Sequence, residues 1–373
     1  MPCIHSEINM RLLYITNGIH GAAGLERVLS VKASYLADIL GYDIHIMTLN
    51  SAGKVPFYDF SKKITFHNIA ASGNPLQYIK QYLTGIINTA SSVSPDVVSV
   101  CDDGLKGFFF PQITRKKYRS IYERHVSKNI ELGHKPNVIK KLKTSLAFGL
   151  MNNLAAHFDR FVVLTKDNVS EWNLKNIIVI SNPLSFEPEG YAALDNRKVI
   201  AVGRQSYQKG FDRLLEIWAI IQQKHPDWKL EIYGKSDDSL RLPIIAEELG
   251  IAQSVSFFEP ERNIQQKYME ASIYALSSRF EGFGMVLVEA MICGVPCVSF
   301  DCPCGPSDII KNGEDGFLVE NDNIGLFASK LSILIEDANK RKMMGRKAKE
   351  NVKRYLPEKI LSQWDELFKS IVE

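Results

Sequence analysis

From Arg11 almost to the end, short β-rich runs take turns with longer amphipathic stretches, and that rhythm breaks only once. Strand patterns alternating with helical ones fit a parallel sheet covered on both faces, because a parallel crossover needs a connection about one helix long. In the first half the strand-like runs are 11–16, 43–49, 63–69, 96–101, 118–122, 161–165 and 177–180, with helical patterns at 24–40, 76–89 and 137–156. The break covers 181–196 (SNPLSFEPEGYAALDN), where two prolines, a glycine and acidic residues interrupt the pattern. A second series follows, with strands expected at 198–202, 229–233, 254–258, 273–276, 296–300 and 317–319. Its helices are expected at 211–223, 240–249, 264–271 and 285–292, and three more close the chain. The expected division is a first domain over 1–182, a linker over 183–197, a second domain over 198–355, and a C-terminal helix over 356–373 that packs back on the first domain. Two open α/β domains place a ligand in the cleft between them, at the carboxyl ends of the strands.

Composition narrows the class. The 373 residues suffice for two domains of about 150–200 each. Six cysteines (Cys3, Cys101, Cys293, Cys297, Cys302 and Cys304) are too sparse for a disulfide framework and point to a reducing compartment. No apolar run is long enough to span a bilayer, and residues 1–9 read as an extension without signal-peptide layout. A cytoplasmic location is expected. The net charge of +3 is uneven: residues 1–190 carry 21 basic against 15 acidic side chains, and residues 191–373 carry 24 against 27. Eleven of the basic residues fall between Lys106 and Lys143, against Glu123 and Glu131 alone, which suggests a nearby anionic surface. Nucleic acid is disfavoured, because the basic window lacks interleaved aromatics and the overall charge is small.

Several turns carry residue types suited to phosphate and sugar chemistry. Residues 18–24 (GIHGAAG) join the first strand to the first helix; a phosphate-facing turn and a plain tight turn both remain open there. After strand 198–202 come Gly203, Arg204 and, five residues on, Lys209-Gly210. Two cations at a strand end suit a diphosphate leaving group; the alternative is a pair of surface cations. Glu281 sits in the loop after strand 273–276, where Gly282 and Gly284 leave backbone amides open to a ligand. Glu289 lies two turns along the next helix among Val288, Ala290 and Met291, so its charge needs a partner. Cys302-Pro-Cys304 lacks a second ligand pair and reads as a turn. Asp102-Asp103 reads as strand-end carboxylates, and His20 as an exposed side chain.

Taken in order, Gly203-Arg204…Lys209-Gly210, Glu281-Gly-Phe-Gly…Glu289-Ala, Gly294-Val-Pro296, 301–310 (DCPCGPSDII) and 312–316 (NGEDG) resemble family 4 of the retaining glycosyltransferases, through nearly all of 198–320. The resemblance implies an α/β chain of the GT-B type, two Rossmann-like doubly wound domains facing a central cleft. It implies a nucleotide-diphosphate sugar as donor substrate, held mainly by the second domain, with no cofactor and no obligatory metal. Arg204 and Lys209 then hold the diphosphate. Glu281 contacts donor-sugar hydroxyls beside the backbone amides of Phe283, Gly284 and Met285, and Glu289 binds the ribose. Gly24-Leu-Glu26-Arg27-Val resembles the family's Gly-Gly-x-Glu-Arg turn near the phosphates and acceptor, with Ala23 in place of the first glycine. His125, in Tyr122-Glu-Arg-His125, matches a histidine lining the acceptor side near the anomeric carbon, and Asn182-Pro183 an interdomain Asn-Pro.

The implied reaction is retaining transfer of a hexose or N-acetylhexosamine, by default from a uridine-linked donor. It passes through an oxocarbenium-like state in which the departing phosphate assists the acceptor hydroxyl. The implied acceptor is a glycan, lipid-linked in surface polysaccharide or O-antigen assembly. A nucleotide-sugar epimerase, a sugar phosphorylase and a non-catalytic transferase-like subunit are the alternatives. Within the basic window, Lys140, Lys141 and Lys143 adjoin an apolar stripe of Val138, Ile139, Leu142 and Leu146. Either the stripe packs on the domain core with the lysines at its solvated edge, or this face rests peripherally on an anionic membrane surface, the inner face of the cell membrane.

Overall fold

The computed structural model describes residues 10–102, 104–131 and 138–373, without the side chains of Asn129 and Glu131. The N-terminal extension with Cys3, Asp103, and Asn137 of the expected 137–156 helix lie outside the described residues.

Two all-parallel sheets are built. The first has seven strands: β1 (Arg11–Ile15), β2 (Asp43–Leu49), β3 (Thr65–Ile69), β4 (Val97–Val100), β5 (Arg119–Glu123), β6 (Arg160–Val163) and β7 (Ile177–Val179). Their order is β3-β2-β1-β4-β5-β6-β7. The second has six: β8 (Lys198–Val202), β9 (Lys229–Tyr233), β10 (Val255–Phe258), β11 (Ile273–Leu276), β12 (Cys297–Asp301) and β13 (Gly316–Glu320), ordered β10-β9-β8-β11-β12-β13. The inner strands are covered on both faces, which is why β4 (VVSV) and β11 (IYAL) read as near-continuous apolar runs. The edge strand β3 keeps only Ile69 fully buried.

The first domain's helices are α1 (Gly24–Asp38), α2 (Pro75–Val93), α3 (Phe110–Ile113), α4 (Val138–Ala155) and α5 (Lys166–Ser170). The second series has α6 (Phe211–Lys224), α7 (Leu242–Glu248), α8 (Ile264–Met269), α9 (Met285–Ile292), α10 (Pro306–Ile309), α11 (Ile324–Glu336), α12 (Ala338–Val352) and α13 (Pro357–Val372). Some helix starts carry side-chain caps. Asn74 and Gln77 form a capping box on α2, Asn323 caps α11 and Asp337 caps α12. The helices α1, α6 and α9 begin at Ala23, Gly210 and Gly284 with no side-chain cap, so their first N–H groups keep bonding capacity for something else.

Between the sheets, 183–197 forms a strap on the second series. Leu184 N donates to the Tyr355 carbonyl (2.7 Å) and Ala192 N to that of Cys293 (2.8 Å). The Arg341 guanidinium holds the Leu194 carbonyl, and Lys349 holds those of Pro188 and Gly190. The last helix, α13, turns its apolar face (Ile360, Leu361, Trp364, Leu367, Phe368, Ile371) onto the first sheet's side, against α1, and Tyr42 donates a hydrogen bond to Asp365. No described helix is long and apolar enough to cross a membrane.

Candidate active site

Each sheet reverses its winding once, between β1 and β4 and between β8 and β11. An open α/β sheet binds ligands at that switch point, outside the carboxyl ends of the strands. The loops leaving β8 and β11 carry Arg204, Lys209 and 281–285, and the loop leaving β1 carries the turn into Gly24.

On the second domain's wall the Lys209 Nζ lies 2.8 Å from Glu281 Oε1, and Ser278 Oγ donates to the same oxygen at 2.5 Å. Arg279 locks the two loops together. Its guanidinium forks onto both oxygens of Asp212 (2.9 and 2.5 Å) and reaches the Tyr207 carbonyl (2.8 Å), while its backbone N donates to Gln208. Burial pushes the Asp212 carboxyl up, but Arg279 outweighs it and holds the carboxyl below its usual range. Gly210 has φ +61°, and a Cβ there would collide with the Ser277 carbonyl, so this turn demands glycine. Arg204 stays exposed beside Asp237. The 302–304 turn is structural: the Pro303 carbonyl accepts from Glu281 N (2.9 Å), and burial pushes both buried thiols up.

Past Glu281 the chain enters α9. Phe283 is buried edge-on against Tyr355, Gly284 takes φ +101°, and Met285 opens α9, whose start has no side-chain cap. The buried Glu289 has the partner its apolar neighbours require. Its carboxylate accepts from Arg27 Nη1 (2.6 Å), Ser185 Oγ (3.0 Å) and the Tyr268 hydroxyl (3.2 Å). Burial lowers the Arg27 pKa, but Glu289 and Tyr58 raise it further still, and the guanidinium stays charged. Glu289 thus ties α1, the strap and α9 together.

On the first domain's wall Gly24 opens α1, exposed and with free space around it. His125 follows β5, with Nε2 3.1 Å from Glu123 Oε2. Glu123 is buried and also accepts from Lys32 and from Ser99 Oγ. The Lys32 ammonium lies 3.9 Å from the Trp364 ring centroid and 5.0 Å from that of Tyr14. Burial alone would raise the Glu123 pKa, but Lys32 and then His125 overcome it and bring it to about 2. The His125 carbonyl packs so tightly on Gly282 that a Cβ there would not fit, which brings the β5 loop onto the Glu281 loop across the cleft. Cys101, Glu123 and His125 lie near enough to share a metal, but the carboxylate already faces the Lys32 ammonium. Asp102 is a brace between loops, accepting from Asn17 Nδ2 (2.7 Å) and Gly104 N (2.8 Å), and His20 is exposed.

The structure therefore sets Lys209 against Glu281 and the His125 carbonyl against Gly282, with α9 running on to Glu289 and Arg27 and with Arg204 exposed on the loop after β8. Sequence reasoning did not find Ser185, Tyr268 or Ser278 as partners, nor the Lys32–Glu123 pair beneath His125. The one available signal was an acidic residue in an apolar helix, which announces a partner without naming it.

Residues 187–351 match the family model described as "Glycosyl transferases group 1". The amylovoran biosynthesis glycosyltransferase AmsD of Erwinia amylovora is 32% identical over 372 residues, 96% of this chain and 99% of that protein. A lipopolysaccharide 1,6-galactosyltransferase of Salmonella typhimurium is 33% identical over 168 residues, 43% of this chain and 46% of that one. The structure of an S. aureus TarM mutant in complex with fondaparinux, alpha-GlcNAc-glycerol and UDP superposes with a TM-score of 0.79 at 16% identity, over 96% of this chain and 99% of that one.

Proposed function

The chain belongs to the group 1 glycosyltransferases, family 4, with the GT-B fold, and from that membership we propose that it moves a hexose or N-acetylhexosamine, with retention, from a uridine-diphosphate sugar to a lipid-linked glycan in surface polysaccharide assembly. The relatives named for amylovoran biosynthesis and lipopolysaccharide 1,6-galactosyl transfer support a glycan acceptor, and the UDP in the TarM complex supports the donor class.

The observation that carries this reading is the Lys209–Glu281 pair, held in a rigid frame at the β8/β11 switch point. The two satisfy each other. A sugar diphosphate separates them, its phosphate oxygens taking the Lys209 ammonium and its sugar hydroxyls donating to the Glu281 carboxylate. Arg204 closes on the diphosphate from the rim, and the uncapped start of α9 adds partial positive charge. These groups stabilise the charge that grows on the departing phosphate as the glycosidic bond breaks. The same phosphate takes the acceptor's proton, on the side lined by His125. Glu289 binds the ribose while anchored by Arg27.

The test is a panel of nucleotide sugars, read by thermal stabilisation and by release of nucleoside diphosphate with and without a glycan acceptor. Acceptor-dependent release of UDP from one or a few donors is expected. Interconversion of the donor alone marks an epimerase, and dependence on inorganic phosphate marks a phosphorylase. Absence of nucleotide-sugar binding marks a non-catalytic subunit.

A further inference from the structure

The helix α4 turns its apolar face the wrong way for a helix serving only the core. The side chains it buries fully are Thr144, Met151, Leu154 and Ala155. The opposite face carries Val138 (82% exposed), Ile139 (66%), Leu142 (63%), Leu146 (68%) and Leu150 (42%). At about 100° per residue these five fall within a third of the helix circumference, on the side away from the sheet. Lys141 and Lys143 fall on the two flanks of that stripe and Lys140 in the first turn, all three exposed, and α4 contains no acidic residue. The neighbouring turn Leu105–Phe109 packs beside α4, and its Phe109 is also exposed. Of the two readings of this stripe, packing on the core is therefore excluded. A contiguous apolar patch on a soluble surface marks something that covers it.

We propose that this stripe is a membrane-docking face, with α4 lying in the plane of a bilayer rich in anionic lipid, its aliphatic side chains among the acyl chains and its flanking ammonium groups at the phosphates. The chemistry matches from both sides: an apolar ridge bordered by basic residues whose stems reach up to the headgroups suits an interfacial helix. A second copy of this chain fits poorly. A two-fold contact through the stripe brings Lys141 and Lys143 against their own copies, and α4 itself carries no acidic residue. The position has a consequence for catalysis. The helix α4 enters from the carboxyl end of β5, the end that carries His125, and its most exposed side chain, Val138, is in its first turn. Docking there sets the acceptor side of the cleft at the bilayer surface. The docking face does not rest on the acceptor class proposed above.

The test is co-sedimentation of the full chain with phosphatidylcholine vesicles, with and without phosphatidylglycerol, at low and high salt. Wild type is expected to pellet with the anionic vesicles at low salt and to release as salt rises. Changing Lys140, Lys141 and Lys143 together to Glu should weaken binding by at least about 100-fold, since each basic residue contributes roughly fivefold near an anionic surface. The pair Leu142→Ser with Leu146→Ser keeps every charge and should lose the binding that survives high salt. All of these positions are on the protein's outer face, so binding of UDP should stay unchanged in each variant and report that the fold is intact. Wild type remaining in the supernatant with anionic vesicles at low salt overturns the proposal. So does wild-type dimerisation by light scattering that the two serines abolish, which would make the stripe a contact between copies.

Discussion

Replacing Lys32 by Met tests the buried charge beneath His125. Both members of the Lys32–Glu123 pair have only 1% of their side chains exposed. The substitution leaves Glu123 with Ser99 Oγ and His125 as its hydrogen-bond partners and no lysine countercharge. Breaking a buried pair from one side costs about 3–5 kcal/mol, because the remaining charge stays desolvated. The lost contact of the ammonium with Trp364 adds up to about 2 kcal/mol, and uptake of a proton by Glu123 gives part of this back. A net loss of about 3–4 kcal/mol follows, or roughly 10 °C in the melting temperature of a domain this size. Urea unfolding followed by tryptophan fluorescence and by far-ultraviolet dichroism reads it. Agreement between the two probes checks that the chain unfolds as one unit. The double variant Lys32→Met, Glu123→Gln should recover most of the loss, since it removes the stranded charge. A single variant within about 1 kcal/mol of wild type, or a double variant no better than the single, refutes the reasoning.

Other outcomes follow from the same geometry. Since Glu123 titrates at about 2 in the fold against an ordinary 4.5, its stabilising contribution is complete above pH 4.5 and is lost as the pH falls toward 2. Acid unfolding of wild type should show this dependence, and the Lys32→Met variant should lack most of it. Lys209→Ala and Arg204→Ala should each slow turnover by about 100- to 1000-fold, the value of one electrostatic donor to a developing anion, with dichroism unchanged. Near-normal rates in both would remove them from the diphosphate. By calorimetry, Glu281→Ala should weaken binding of the intact sugar nucleotide more than that of UDP, whereas Glu289→Ala should weaken both. Glu289→Ala should also lower the melting temperature, because Arg27 loses its partner between the domains.

The two-domain α/β plan was readable because parallel strands covered on both faces are short apolar runs, and because the strap over 183–197 breaks the pattern with proline and glycine. Element ends were less so. The helix expected over 76–89 runs from Pro75 to Val93, since Asn74 caps it early and a left-handed Ser94 stops it late. The short α3 and α5 gave too little periodicity to detect. At the site, residue types and spacings pointed to Lys209, Glu281 and Glu289, but pairings across the chain were hidden. Lys209 meets Glu281 from 72 positions away and Arg27 meets Glu289 from 262, separations at which no local pattern exists. The periodicity of α4 likewise gave an apolar stripe without its direction. A stripe that packs inward and one that faces a lipid surface have the same spacing, and only the buried Thr144, Met151 and Leu154 on the opposite face decide between them.

Product stereochemistry is the most direct measurement. The protein is mixed with an α-linked UDP-hexose or UDP-N-acetylhexosamine and a glycan acceptor, and the anomeric proton of the product is followed by NMR while released UDP is counted. An α-linked glycoside formed one for one with UDP is the expected result. A β-linked product, or consumption of donor to an epimer or a sugar phosphate with no glycoside formed, would contradict retaining glycosyl transfer at this site.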